Sequence, residues 1–336
     1  MSKRLRIVAN GQEFSASPGE ILLDAALHQG LNLPHECRAG QCGSCLVRVL
    51  RGHTIGGETK QRRVVHACRA RLFTDSEISF DILPPIARLS GYLVSLERMS
   101  WDVVGLCIRL DHPLQYLPGQ YCRVKFRGFP ARCFSPTSPF VGVDKGFVLR
   151  FHIKLVRDGA VTSELGAGIK PGHRITIEGP FGSAYYRPNE GHRLVLAASG
   201  TGFAPIWAIA AAAMRRQPQR PMHLIAGVKH LRSLYMVPAL HRLASHPNAT
   251  CVVATQEPQE RSEIIRQGSP VQFLPKLVPT DIVYAAGAPA MVDAIGDAAE
   301  SAGAAFYADP FTASTGRDTS WLNIFERLMP RMVRAA

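Results

Sequence analysis

The order of apolar and polar positions divides the chain into stretches of different period. Leu5-Arg6-Ile7-Val8 and Glu13-Phe14 flank Asn10-Gly11, which predicts a two-residue hairpin. After Pro18-Gly19-Glu20, apolar residues at 21, 22, 25, 26 and 27 fall on one helical face. Leu46 to Leu50 and Glu77 to Leu83 read as strands, the second closing this part of the chain. Leu83-Pro84-Pro85-Ile86 is a stiff linker. Beyond it, Gly91 to Val94 and Val103 to Ile108 begin a series of short strands separated by turn signals, which predicts a small antiparallel barrel. From about residue 188 the pattern changes again. Continuous apolar runs at 193–198, 223–228, 250–255 and 281–286 predict buried parallel strands, and 206–216 predicts a helix between the first two. Past Thr312, a hinge at 313–317 leads to Trp321, Leu322, Phe325, Leu328 and Met329 at helical spacing, with Arg327, Arg331 and Arg334 among them. Pro330 limits that helix to about three turns, so it is expected to pack on its own body or across a homodimer and not on a membrane.

Composition changes this picture little. The length, 336 residues, suits two or three domains, and 46% hydrophobic content suits several cores. The net charge of +13 could serve nucleic acid, an anionic surface or an acidic protein. No nucleic-acid-binding module is recognisable and the cations are scattered, so an acidic protein partner is expected. The N-terminus lacks the apolar core of a signal peptide, and the run at 203–214 is too short to span a bilayer. Cys107, Cys122, Cys133 and Cys251 lie in apolar runs and are expected to be small buried residues; together with the cysteines below they suggest a cytoplasmic protein.

The densest chemistry is at Cys37, Cys42 and Cys45, a C-x4-C-x2-C run completed by Cys68. Two bridged irons need four soft anionic ligands, and three on one loop fix most of the geometry. Gly40 and Gly43 allow the backbone to approach such a cluster. A four-cysteine zinc site is the alternative, although zinc sites usually pair two knuckles. With the hairpin, helix and strands around it, residues 1–84 resemble the β-grasp of plant-type [2Fe–2S] ferredoxins. Two departures stand out. The Cys45 to Cys68 interval is short, and residues 1–85 hold 11 Lys and Arg against 8 Asp and Glu, a net +3 where stand-alone plant ferredoxins are acidic.

Three further motifs lie on residues 87–187: Pro118-Gly119-Gln120-Tyr121, Arg132-Cys133-Phe134-Ser135-Pro136-Thr137-Ser138, and Gly159-Ala160-Val161-Thr162. A fourth, Glu178 to Gly182, closes the barrel. Singly each reads as a salt bridge or an ordinary turn. In this order they resemble the flavin-binding motifs of the ferredoxin–NADP reductase superfamily. The resemblance implies FAD held by Arg132, Cys133, Phe134 and Ser135, by His152 and Ile153, and by Gly159 to Thr162. Arg132 would clamp a phosphate, and Gly159 to Thr162 would open a helix whose N-terminus meets the pyrophosphate. Phe134 would stack on the flavin, and Ser135 would hydrogen-bond near N5, the hydride acceptor.

Residues 188–312 continue the resemblance. Gly200, Thr201, Gly202 and Pro205, with Gly287, Pro289 and Met291, match the superfamily's two nicotinamide motifs. Ala286 stands where relatives have Cys. Asp309 and Phe311 match the terminal acid-plus-aromatic motif, and with Ser135 they are the implied catalytic residues; Phe311 would cover the flavin until nicotinamide displaces it. Lys229, His230 and Arg232 lie where a 2′-phosphate would, which could favour NADPH; the resemblance nevertheless implies NADH with tolerance for NADPH, because the relatives mostly use NADH.

Over residues 1–312 the chain thus resembles the reductase components of bacterial Rieske ring-hydroxylating oxygenases. The implied fold is multi-domain α+β and α/β: a β-grasp [2Fe–2S] domain (1–84), an antiparallel β-barrel FAD domain (87–187), a doubly wound parallel-sheet NAD(P) domain (188–312) and a C-terminal extension (313–336). The implied function is electron transfer from NADH through FAD and the cluster to a terminal oxygenase or a separate ferredoxin. The alternative is the same scaffold serving a diiron monooxygenase or a deoxysugar-dehydration pathway.

Overall fold

The computed structural model describes residues 4–40, 43–59, 61–139, 146–188, 192–258 and 262–311. The predicted C-terminal helix and Cys42 lie outside them.

The first unit contains β1 (Leu5–Ala9), β2 (Gln12–Ala16), α1 (Leu22–His28), β3 (Leu46–Arg51), β4 (Thr54–Ile55), β5 (Val64–His66), β6 (Arg71–Leu72) and β7 (Ser76–Ser79). Asn10 and Gly11, both at positive φ (49° and 82°), make the tight turn that pairs β1 with β2. The main sheet runs β2-β1-β7-β3-β5, with β1 and β7 parallel; β4 and β6 form a separate pair. Leu5, Ile7 and Ala9 point inward from β1, and α1 covers that face through Leu22, Leu23, Ala25 and Ala26. The closing strand is shorter than its apolar pattern, ending at Ser79. The chain then leaves the sheet, and Ile82 and Ile86 are exposed.

The second unit contains β8 (Ala87–Arg98), β9 (Val103–Leu110), β10 (Tyr121–Phe126), β11 (Arg132–Phe134), β12 (Val148–Lys154) and β13 (Arg174–Phe181). Every neighbour in the order β11-β10-β13-β8-β9-β12 is antiparallel. The twelve-residue β8 is long enough to pair with both β9 and β13. The sheet curls until its two edges approach. Thr137, just past β11, bridges Arg150 on β12, and this nearly closes a barrel around Phe126, Ile108, Phe151 and Ile177.

The third unit contains β14 (Leu194–Ser199), α2 (Phe203–Arg216), β15 (Met222–Val228), α3 (Val237–Ala244), β16 (Ala249–Thr255), β17 (Ile265–Gln267), β18 (Ile282–Gly287), α4 (Pro289–Ser301) and β19 (Ala305–Pro310). Its sheet is parallel throughout, in the order β17-β16-β15-β14-β18-β19. Leu194, Leu196 and Ala198 enter the core under α2 and α3, whereas Val195 and Ala197 enter the core under α4. Burial on both faces is why β14 has no polar alternation. The chain winds outward from β14 to β17 and then crosses to β18, so β14 and β18 flank the point where strand order reverses.

Two expectations are corrected here. Cys133 is exposed, because it faces outward from the edge strand β11; Cys107 and Cys251 are half-buried, and only Cys122 is fully enclosed. Gly159 to Thr162 do not open an α-helix. They lead into one 3₁₀ turn, Thr162–Glu164, too short for an N-terminal dipole.

Candidate functional site

Pairing of β3 with β5 brings the distant cysteines together. Leu46 lies opposite His66, and the Ala67 amide donates to the Cys45 carbonyl at 2.9 Å, so Cys45 and Cys68 enter one core at 3% and 6% exposure. The loop between α1 and β3 is tightly curled, with Arg38, Gly40 and Gly43 at positive φ. Within it the Ala39 amide donates to the Cys37 sulfur at 3.3 Å, the type of contact that stabilises a ligating thiolate. A Cβ on Gly43 would lie 2.4 Å from the Ser183 hydroxyl, so the loop is pressed against the end of the barrel. Among the described residues no three His, Cys, Asp or Glu side chains converge tightly enough to hold one ion, and Cys42 lies outside those residues. Donor set, loop curvature and the sulfur-directed amide nevertheless fit a four-thiolate cluster.

Ser135 and Asp309, 174 residues apart, meet across the seam between barrel and parallel sheet. The Ser135 hydroxyl donates to Asp309 Oδ2 at 3.0 Å. Burial pushes the Asp309 carboxyl up to about 6, against the hydrogen bond, which favours the charged form. The buried Thr137 hydroxyl, two residues from Ser135, has no hydrogen-bond partner among the described residues, an orphan that fits a polar ligand. The other flavin candidates are placed less uniformly. Arg132 donates to the neighbouring Ala131 carbonyl at 2.8 Å, and Phe134 sits edge-on to Phe151, with ring centroids 6.3 Å apart. The His152 imidazole packs edge-on to Tyr235 at 5.1 Å, and burial lowers its pKa to about 3, which keeps it neutral. Ile153 and Val161 point into the barrel core, and Ala160 is exposed. Thr162 closes its turn against both backbone groups of Val156, each at 3.2 Å.

The nicotinamide candidates converge at the carboxyl ends of β14 and β18. Gly200 to Gly202 form a 3₁₀ turn from β14 into α2, with Pro205 buried in the helix's first turn. A Cβ on Gly202 would lie 2.2 Å from the Ala286 carbonyl oxygen, and one on Gly287 (φ +120°) 2.4 Å from that of Ser199. The two turns interlock without room for side chains, and the Ser199 hydroxyl accepts from the Ala288 amide at 2.8 Å. Pro289 starts α4, and Met291 packs beneath it. The Phe311 amide donates to the Gly287 carbonyl at 2.7 Å, which carries Phe311 to the same edge. Ala286, 2% exposed, is paired with Ala198 on one side and Asp309 on the other.

Sequence reading missed the residues that join the units. Glu36, beside Cys37, accepts from the Tyr121 hydroxyl at 2.8 Å and from Arg123 at 3.5 Å. Arg187 is 8% exposed; its guanidinium lies 3.7 Å and 3.8 Å from the Tyr185 and Tyr307 ring centres and donates to Asp81 at 2.9 Å. Gln61 donates to the Phe306 carbonyl. The partners that cross between units are remote in sequence, so no local pattern marks them.

Comparison with known proteins follows the same division. The 2Fe-2S iron-sulfur cluster binding domain family matches residues 6–72, the oxidoreductase FAD-binding domain family 90–186, and the oxidoreductase NAD-binding domain family 196–297. The sequence is 30% identical to the reductase component, ferredoxin–NAD(P)+, of the naphthalene 1,2-dioxygenase system of Pseudomonas putida, over 91% of this chain and 98% of that one. It is 31% identical to the corresponding component of the naphthalene 1,2-dioxygenase/salicylate 5-hydroxylase systems of a Ralstonia species, over 84% and 89%. Among solved structures, the Amycolatopsis cytochrome P450 reductase GcoB superposes with a TM-score of 0.66 at 26% identity, over 93% of this chain and all of that one.

Proposed function

The chain belongs to the family of ferredoxin–NAD(P)+ reductase components of oxygenase systems, and on that footing we propose how its residues divide the work. The family's cofactors are a [2Fe–2S] cluster, FAD and NAD(P)H, which together convert a two-electron hydride donor into single electrons. Cys37, Cys42, Cys45 and Cys68 hold the cluster, and the Ala39 amide steadies the first sulfur. Arg132 to Ser135, with the Gly159 to Thr162 turn, hold the flavin on the barrel. Gly200 to Gly202 and Gly287 to Met291 hold the dinucleotide where strand order reverses. Ser135 and Asp309 share a hydrogen bond where barrel and sheet meet, and Phe311, two residues beyond Asp309, is tied by its amide to the Gly287 carbonyl. The acceptor we propose is a terminal oxygenase of aromatic catabolism, or a ferredoxin serving it, in the cytoplasm.

One observation carries this reading. The Ser135–Asp309 bond draws the barrel's flavin motif onto the edge where both glycine turns end. The test is anaerobic NADH titration of the purified holoprotein, followed by absorbance and EPR. The expected result is bleaching of a flavin band together with a rhombic EPR signal, and Cys42→Ser is expected to abolish the signal but keep the bleaching. A colourless protein, or flavin bleaching with no EPR signal in the parent protein, would overturn it.

A further inference from the structure

We propose that the outer face of the barrel, where Arg109, Lys125, Arg127 and Arg174 surround Tyr92, is the docking surface for the acidic protein that accepts this chain's electrons. The proposal rests on the acceptor reading above, and adds where that acceptor sits and which sign of charge it presents. Residues 87–187 carry a net +7 of the chain's +13. Their cations are scattered in sequence, but strand register gathers four of them.

Tyr92 on β8 lies opposite Arg174 on β13 and opposite Arg109 on β9. The amide of Arg127, just past β10, donates to the Arg174 carbonyl at 3.0 Å, so Arg127, Arg174, Tyr92 and Arg109 form one row across the sheet. The neighbouring row holds Lys125, Thr176 and Ser90, with Asp111 at its end. The four cations and Tyr92 are exposed, whereas the alternate residues Leu93, Ile108, Phe126 and Ile175 fill the barrel. Among the described residues none of the four cations is paired with a carboxylate, and Asp111 is the one acid in the two rows. Arg127 and Arg174 sit side by side, an unfavourable cross-strand placement that an opposing anionic surface would offset. Arginine and tyrosine are also the side chains that most often anchor protein interfaces. The outer face of β8 runs from Tyr92 through Ser90 to Arg88, roughly 13 Å at about 3.3 Å per residue. Arg88 lies opposite Glu178, which accepts from Arg123 at 3.0 Å, and Arg123 reaches Glu36 beside Cys37. A protein of ordinary footprint, about 800 Å², seated on the two rows therefore reaches the foot of the cysteine loop. A membrane or nucleic acid would meet the same cations but would bring no recipient for single electrons to that loop.

The experiment uses the full-length holoprotein with two haem proteins as probes: cytochrome b5, which is acidic, and cytochrome c, which is basic. Calorimetry measures binding of oxidised cytochrome b5, and NADH-driven reduction of each probe is divided by ferricyanide reduction in the same sample. The parent is expected to bind cytochrome b5, and to bind it less tightly as salt is raised. Arg109→Glu combined with Arg174→Glu is expected to lower the cytochrome b5 rate about tenfold at low salt and to raise the cytochrome c rate. Arg216→Glu combined with Lys276→Glu makes the same change of net charge on the third unit, and is expected to leave the ratio of the two rates within about twofold of the parent's. Equal effects from the two double variants would show net charge alone and overturn the proposal, as would an unchanged ratio in the first. Loss of binding to phosphatidylserine vesicles in the first variant, with cytochrome b5 binding kept, would mark the rows as a membrane face and overturn it too. Flavin bleaching without reduction of either probe would overturn the relay instead; cytochrome b5 binding that the first variant loses and the second keeps would still support the docking face.

Discussion

At the scale of single residues, the Ser135–Asp309 pair gives the sharpest expectation. A carboxyl whose folded pKa is raised to about 6 binds protons that an unfolded aspartate, near 3.8, releases. The associated stability is complete below the unfolded value and is lost as pH rises through about 6. The gap between the folded and unfolded values corresponds to roughly 3 kcal/mol at most. Asp309→Asn is therefore expected to match the parent at about pH 3, below the unfolded value, and to exceed it by about 1–3 kcal/mol at pH 7.5. Ser135 opposes this effect by donating to the charged form. Ser135→Ala should move the titration upward, and melting curves of the three proteins across pH would reveal both effects. A parent-to-variant difference that does not change with pH would contradict the reading. Both residues were legible as motif members, but their contact was not, because 174 residues separate them. Cys133 was misread for a related reason: an apolar neighbourhood in sequence does not say which face of an edge strand turns outward.

At the scale of elements, sequence was most informative where geometry is local. Asn10-Gly11 specified the hairpin because both residues accept positive φ. The unbroken apolar run of β14 specified a strand buried on both faces. It was least informative at Gly159 to Thr162, where a glycine followed by a threonine reads equally as a helix start or as the single 3₁₀ turn found. The short β4, β6 and β17 had no detectable pattern, since two or three residues carry no period. The glycine turns show why motif glycines are not equivalent. Gly200 has positive φ (54°) but open space where a Cβ would go, whereas a Cβ on Gly202 would lie 2.2 Å from the Ala286 carbonyl oxygen at the rigid end of β18. Gly200→Asn is expected to cost about 1 kcal/mol or less, because Asn tolerates that backbone. Gly202→Ala is expected to cost about 1–3 kcal/mol by forcing the turn away from Ala286, and to weaken nicotinamide-nucleotide binding as well. Thermal midpoints with nucleotide calorimetry would test the order, and a Gly202→Ala protein as stable as Gly200→Asn would refute it.

At the scale of the whole molecule, three units each bury their own core, and few side chains hold the first against the others. Two anchors flank the cysteine loop. Glu36 ties the residue before Cys37 to Tyr121 and Arg123, and Asp81 ties the exit of the first sheet to Arg187 between two tyrosine rings. Arg187 is buried and stacked, but the Asp81 side chain is 51% exposed, so this pair contributes registration more than stability. Registration matters for transfer between two bound groups, because a misplacement of about 1 Å can slow a positioned reaction by up to ~100-fold. The variants Glu36→Ala and Asp81→Ala, singly and together, are therefore expected to fold with melting points close to the parent. NADH-driven ferricyanide reduction, which needs only the barrel and the parallel sheet, should stay within about twofold of the parent, because Glu36 and Asp81 bond to Tyr121, Arg123 and Arg187 and the Ser135–Asp309 bond stays intact without them. Cytochrome c reduction, which needs the cysteine loop in place, should fall severalfold in each single variant and about tenfold or more in the double. If the two assays fell together, the anchors would be supporting the flavin site. If neither fell, the first unit would be held by its remaining contacts, Gln61 to Phe306 and Gly43 against Ser183, and the two acidic anchors would be surface pairs without a role in transfer.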